Sequence, residues 1–108
     1  MKCSDLNGEF EALILPAPES DVSGGYTSDL LSDVMAHARQ GDVLITIQSH
    51  KNTVAVASLA GISAIILCNS RPVPDDMVEA ARQEDINLFR TPNNQFDTSC
   101  RIRRLLDA

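Results

Sequence analysis

Three short polar stretches stand directly behind apolar runs. Gln48-Ser49-His50-Lys51-Asn52 follows Val43 to Ile47, Asn69-Ser70-Arg71 follows Ala64 to Cys68, and Arg90-Thr91 follows Leu88 and Phe89. Together they offer amides, hydroxyls, an imidazole and guanidinium groups, the donors that suit an anionic or phosphorylated ligand. Gln48, Ser49, His50, Asn52, Asn69, Arg71 and Thr91 are therefore candidate ligand contacts. Gly24-Gly25 adds a place where backbone can turn tightly or approach a phosphate closely. Asn, Ser and Thr also cap helices and shape turns with no ligand at all, and that reading stays open for each residue.

Other groups suggest less. His50 could act as a general base, but no Ser or Cys nucleophile is evidently paired with it. Cys68 closes an apolar run, where a buried thiol is the ordinary expectation and a reactive one the exception. Asp33 and His37 stand one helical turn apart, and two ligands do not make a metal site. The sequence has no phosphate-binding loop of the Walker type, dinucleotide fingerprint, zinc-protease motif or nucleophile elbow. No cofactor and no catalytic residue is expected, and a small enzyme using His50 or Cys68 ranks last among the readings.

The elements that must position these residues alternate. Phe10 to Leu15 reads as a strand stopped by Pro16 and Pro18, with a loop from Pro16 to Gly25. Leu30, Leu31, Val34, Met35 and Ala38 recur at helical spacing, with Asp29, Asp33 and His37 opposite. Thr27 or Ser28 is placed to cap that helix and Gly41 to end it. Val43 to Ile47 has the continuous β-branched character of a parallel strand covered on both faces. A helix over Asn52 to Leu59 ends at Gly61, and Ala64 to Leu67 gives another buried strand. A short helix starts near Pro74 or Asp75, Leu88 and Phe89 fit a last strand, and Thr91-Pro92 turns into a final helix. Phe96, Ser99, Ile102 and Leu106 line one side of that helix. Strand and helix alternate four times, which predicts an α/β fold. It is a single domain over 1–108, with a mostly parallel four- to five-stranded sheet and helices packed on it.

In such sheets ligands gather beyond the carboxyl ends of the strands, where the three polar stretches fall. With 108 residues the chain is too short for two full cores. A net charge of -6 disfavours nucleic acid and anionic membranes as partners. Arg101, Arg103 and Arg104 complement the negative end of a terminal helix. Three widely spaced cysteines form neither a disulfide framework nor a zinc pattern, which suggests a reducing compartment. The acidic start is unlike a signal peptide, and a cytoplasmic protein is expected.

The stretch Asp21-Val22-Ser23-Gly24-Gly25-Tyr26, continuing through Ser28-Asp29-Leu30-Leu31-Ser32-Asp33-Val34-Met35, resembles the DRTGG domain. The likeness runs on through Gly41-Asp42-Val43, Ile45-Thr46-Ile47-Gln48, His50, Asn52, Val54-Ala55-Val56-Ala57, Ala64-Ile65-Ile66, Arg71 and Thr91-Pro92. Val22 stands where the name-giving motif has Arg and Ser23 where it has Thr, so the hydroxyl is kept and the cation removed. The family is similar in fold to the amino-terminal domain of HPr kinase/phosphorylase. Its members accompany CBS domains and phosphotransacetylases. The resemblance implies a non-catalytic, often self-associating regulatory module whose ligand the family does not fix. With the strand-end polar stretches and Gly24-Gly25 it leads to the expectation of a homodimer sensing a small anionic metabolite or nucleotide. The alternative is an adaptor for a larger enzyme, a redox enzyme among the candidates.

Overall fold

Residues 1–108 are described by a computed structural model. A single 3-10 turn at Cys3–Leu6 precedes β1 (Glu11–Ile14), β2 (Gly24–Thr27), α1 (Leu31–His37), β3 (Asp42–Thr46), α2 (Lys51–Ala60), β4 (Ala64–Leu67), α3 (Asp75–Gln83), β5 (Asn87–Arg90) and α4 (Gln95–Asp107). The strands form one sheet in the order β1-β5-β4-β3-β2. β2 to β5 run parallel, and β1 pairs antiparallel with β5, Glu11 opposite Arg90.

The middles of the central strands β3 and β4 are apolar because successive side chains enter two different cores. Val43 and Ile45 point to one face and Leu44 to the other. The crossovers β2-α1-β3, β3-α2-β4 and β4-α3-β5 all step in the same direction along the sheet. Right-handed connections then place α1, α2 and α3 on one face. There Val34, Val54, Ala57, Met77 and Ala81 pack on Leu44, Ile65, Leu67 and Leu88. The second face carries Val43, Ile45, Ala64, Ile66 and Phe89, covered by Ile102 of α4 and by Cys3, Leu6 and Phe10 from the start of the chain.

Four local features differ from the sequence expectation. Gly24–Thr27 is an edge strand, not the end of a loop and a helix cap. Consequently α1 begins only at Leu31, and Ser28 Oγ accepts from the Leu30 amide instead of capping a longer helix. Gly41 lies in the turn into β3, four residues beyond His37, the last residue of α1. Phe96 is 75% exposed, off the buried stripe of α4. The end of α2 at Gly61 stands as expected, with that residue in the left-handed region at φ 74°.

Candidate functional site

The carboxyl ends of β3, β4 and β5 lie side by side, and the amino termini of α2, α3 and α4 open toward the same end. Neighbouring strands β4 and β5 send their chains to opposite faces, β4 to α3 and β5 to α4. That divergence is the kind of switch point where open α/β sheets leave a ligand crevice.

Two consecutive non-glycine residues at this point take the left-handed conformation, Asn69 at φ 60° and Ser70 at φ 50°. Such backbone costs of order 1 kcal/mol or more per residue and persists only where the surroundings enforce it. Here they do. Asn69 N donates to Asn93 O at 2.9 Å, Ser70 N to Thr91 O at 2.9 Å, and Arg71 N to Cys68 O at 3.3 Å. The two diverging loops are thus laced together by backbone, while the side chains of Asn69, Ser70 and Arg71 stay exposed. Thr91 is buried, and its hydroxyl accepts from Asn93 N at 3.2 Å, so it shapes the loop from inside.

The β3-α2 loop is pinned as closely. His50 Nδ1 accepts from Asn52 N at 3.0 Å and caps α2. That acceptor role places the ring proton on Nε2, which remains outward with His50 exposed. Ser49 Oγ donates to Pro72 O, which ties this loop to the β4-α3 loop. Gln48 Nε2 donates to Asp29 O at 2.8 Å, and Thr53 Oγ1 donates to Gln48 O at 2.8 Å. Among the candidates, Gln48, Ser49, His50, Asn52, Asn69, Arg71 and Thr91 therefore gather at one end of the sheet. Lys51 and Arg71 supply its exposed positive charge.

Gly24 and Gly25 do not join them. They begin β2, paired with Asp42 and Val43 at the start of β3, and so lie at the opposite end of the sheet. Arg90 is also drawn away, since its Nε donates to Glu11 Oε1 at 3.2 Å across the β1-β5 pair. Asp33 accepts from Tyr26 OH at 2.8 Å and stands 3.1 Å from His37 Nδ1, a network between the edge strand β2 and α1. No group of three or more His, Cys, Asp or Glu is placed to hold a metal ion. Cys68 is buried against Thr98 Oγ1 at 3.5 Å, and burial pushes its thiol up from the ordinary value.

Asp29 is the residue the sequence placed least well. It sits ahead of α1 and turns inward, its Oδ1 accepting from Thr46 Oγ1 at 2.9 Å, Ile47 N at 2.9 Å and Gln95 Nε2 at 3.0 Å. One carboxylate oxygen thereby joins the β2-α1 loop, the end of β3 and the start of α4. Thr46, a buried polar residue closing the apolar run of β3, is the sequence signal that a buried acceptor must be near.

No helix is long and apolar enough to cross a membrane. No curated protein matches the chain. The fold is similar to a crystal structure of the CBS and DRTGG domains of the regulatory region of Clostridium perfringens pyrophosphatase, complexed with the activator diadenosine tetraphosphate. The TM-score is 0.60 and the identity 18% over 71% of this chain. This chain spans 33% of that one, and the likeness is one of fold. The family model of the DRTGG domain matches residues 27–105, and on that extent the chain belongs to the DRTGG domain family.

Proposed function

We propose that this chain is a non-catalytic regulatory domain that binds a small anionic metabolite or nucleotide at the carboxyl ends of β3, β4 and β5. The observation that carries the reading is the left-handed pair Asn69-Ser70 at the β4-β5 divergence. Strained backbone held by its surroundings, with exposed polar side chains, is what a preformed ligand contact requires. Arg71, Lys51 and the outward His50 Nε2 add donors suited to a phosphate. Support also comes from the regulatory region similar in fold, whose activator is a nucleotide. The reading asks no chemistry of Cys68, whose thiol is buried.

Thermal unfolding in the presence of diadenosine tetraphosphate, ATP and acetyl phosphate tests it. A ligand at a hundred times its dissociation constant adds about 2.7 kcal/mol, which raises the midpoint by roughly 10 °C or more in a domain of this size. Arg71→Ala is expected to reduce that shift while leaving the unliganded midpoint in place. Midpoints unmoved by all three compounds would count against the reading.

One observation favours a second reading, an adaptor that self-associates or docks on a larger enzyme. Phe96 projects from α4 at 75% exposure, next to Cys100, Arg103 and Arg104 around a shallow concavity of about 480 Å³. Exposed aromatic residues of this kind anchor protein interfaces. Sedimentation velocity is then expected to show a concentration-dependent dimer that Phe96→Ser weakens. A wild-type chain that stays monomeric at high concentration removes the homodimer.

A further inference from the structure

The end of the sheet opposite the strand carboxyl ends carries a second feature. Asp42 opens β3 and is only 7% exposed. Its Oδ2 accepts from Arg39 N at 2.8 Å, whereas Oδ1 takes no hydrogen bond from within the chain. That oxygen is not sealed in the interior, where it would be an unsatisfied acceptor. It faces a concavity of about 430 Å³ on the outer side of β2.

Gly24 keeps the opening clear. A Cβ at this position would lie 2.8 Å from Asp42 Oδ1, close enough to cover it. The gap in front of the carboxylate is thus a consequence of having glycine at the start of the edge strand. Around the same concavity stand Arg39, His37 and Arg103, with Tyr26 as its one hydrophobic wall residue. In a chain of net charge -6, this brings two guanidinium groups, those of Arg39 and Arg103, around one buried acceptor. The volume falls in the range of small-molecule sites.

We propose that this concavity is a second binding site, for a small anion that also carries an amino group. The amino N–H donates to Asp42 Oδ1 through the gap at Gly24, and the anionic group lies between Arg39 and Arg103. A free α-amino acid and a nucleotide with an amino-bearing base share this chemistry. The site is distinct from the one at Asn69 to Arg71 and stands or falls separately.

The test uses paired probes in which one member lacks the amino group and any donor in its place: glutamate against glutarate, and AMP against purine riboside 5′-monophosphate. Binding to the full ¹⁵N-labelled chain is followed by amide chemical shifts. One amino-bearing probe is expected to bind about tenfold more tightly than its counterpart, the usual effect of one hydrogen bond to a charged group. The shifts are expected to centre on Gly24, Gly25, Arg39 and Asp42, and the pair that shows the preference identifies the source of the ligand. Asp42→Asn keeps the shape and turns an N–H₂ toward the ligand, so the preference should disappear. Arg39→Ala, exposed and easily tolerated, should weaken both members of that pair alike and covers the case in which Asp42→Asn fails to fold. Equal affinities within both pairs, shifts confined to Asn69 to Arg71, or a preference that survives Asp42→Asn would each overturn the proposal. So would the absence of binding by all four probes at 10 mM, roughly the weak limit for such ligands.

Discussion

Asp29 gathers three donors on a single oxygen, and each belongs to a different part of the chain. Removing the carboxylate leaves a buried hydroxyl and a strand-end amide without their acceptor. Asp29→Ala is therefore expected to lower stability by about 2 to 3 kcal/mol, read from the urea midpoint. Gln95→Ala, which removes one of the three bonds, should cost less than half as much. Ser70→Gly should move the other way, by about 0.5 to 1 kcal/mol, because glycine takes the left-handed backbone without strain. The Tyr26–Asp33 bond makes a prediction in pH. Donation from Tyr26 is the first cause of the Asp33 carboxyl lying below its ordinary 3.8. A lowered folded value contributes stability fully above 3.8 and loses it as pH falls through the folded value. The same bond pushes the Tyr26 phenol above 10.0, so its contribution is complete below 10.0 and lost as pH rises through the raised value. Tyr26→Phe should flatten both limbs of the stability profile, and equilibrium unfolding across pH measures this.

Helix α4 is the element on which the second face of the sheet depends. Ile102 is 1% exposed within the cluster of Val43, Ile45 and Phe89. Ile102→Ala should cost about 2 to 4 kcal/mol, measured by denaturant unfolding. Cysteine chemistry checks the same packing: Cys3 and Cys68 are buried and Cys100 is exposed. A thiol reagent should label Cys100 alone in the folded chain and all three after unfolding. Fast native labelling of Cys68 would mean that α4 does not cover β4 as described. Most of this was legible in the sequence, because β3, β4 and β5 each have an apolar centre (Val43 to Ile45, Ala64 to Leu67, Leu88 and Phe89) and α2 ends at a glycine. β2 was not. Gly24-Gly25 has almost no strand propensity of its own and reads as a turn. It becomes a strand because the edge of β3 offers it a partner, and a Cβ at Gly24 would crowd Asp42 Oδ1. The polar stretches at the strand ends were legible for the same reason as the strands. The position of Asp29 was not, since an acidic residue ahead of an amphipathic run looks like a solvated helix face until its tertiary partners are known. Phe96 was misplaced by periodicity, which assigns a face to a helix but cannot say where the neighbouring layer stops.

At the scale of the whole molecule, the family match from residue 27 to 105 is smaller than the folding unit. Cys3, Leu6 and Phe10 belong to the core beside Phe89 and Ile66, and β1 closes the edge of β5. A fragment cut at residues 27 and 105 also loses most of β2. It is expected to melt without cooperativity and to associate through its bare edges, as circular dichroism and light scattering would show. A fragment that melts as sharply as the full chain would refute this account of the core. The pairing of Glu11 with Arg90 has a further consequence, for biosynthesis. During translation β1 must wait for a partner made 79 residues later. Until then Ala12, Leu13 and Ile14 leave the ribosome as an unpaired apolar segment, open to the wrong neighbours. Glu9 and Glu11 before it and Pro16 and Pro18 after it flank that segment with charge and with residues that cannot extend a sheet, the usual gatekeepers of a nascent strand.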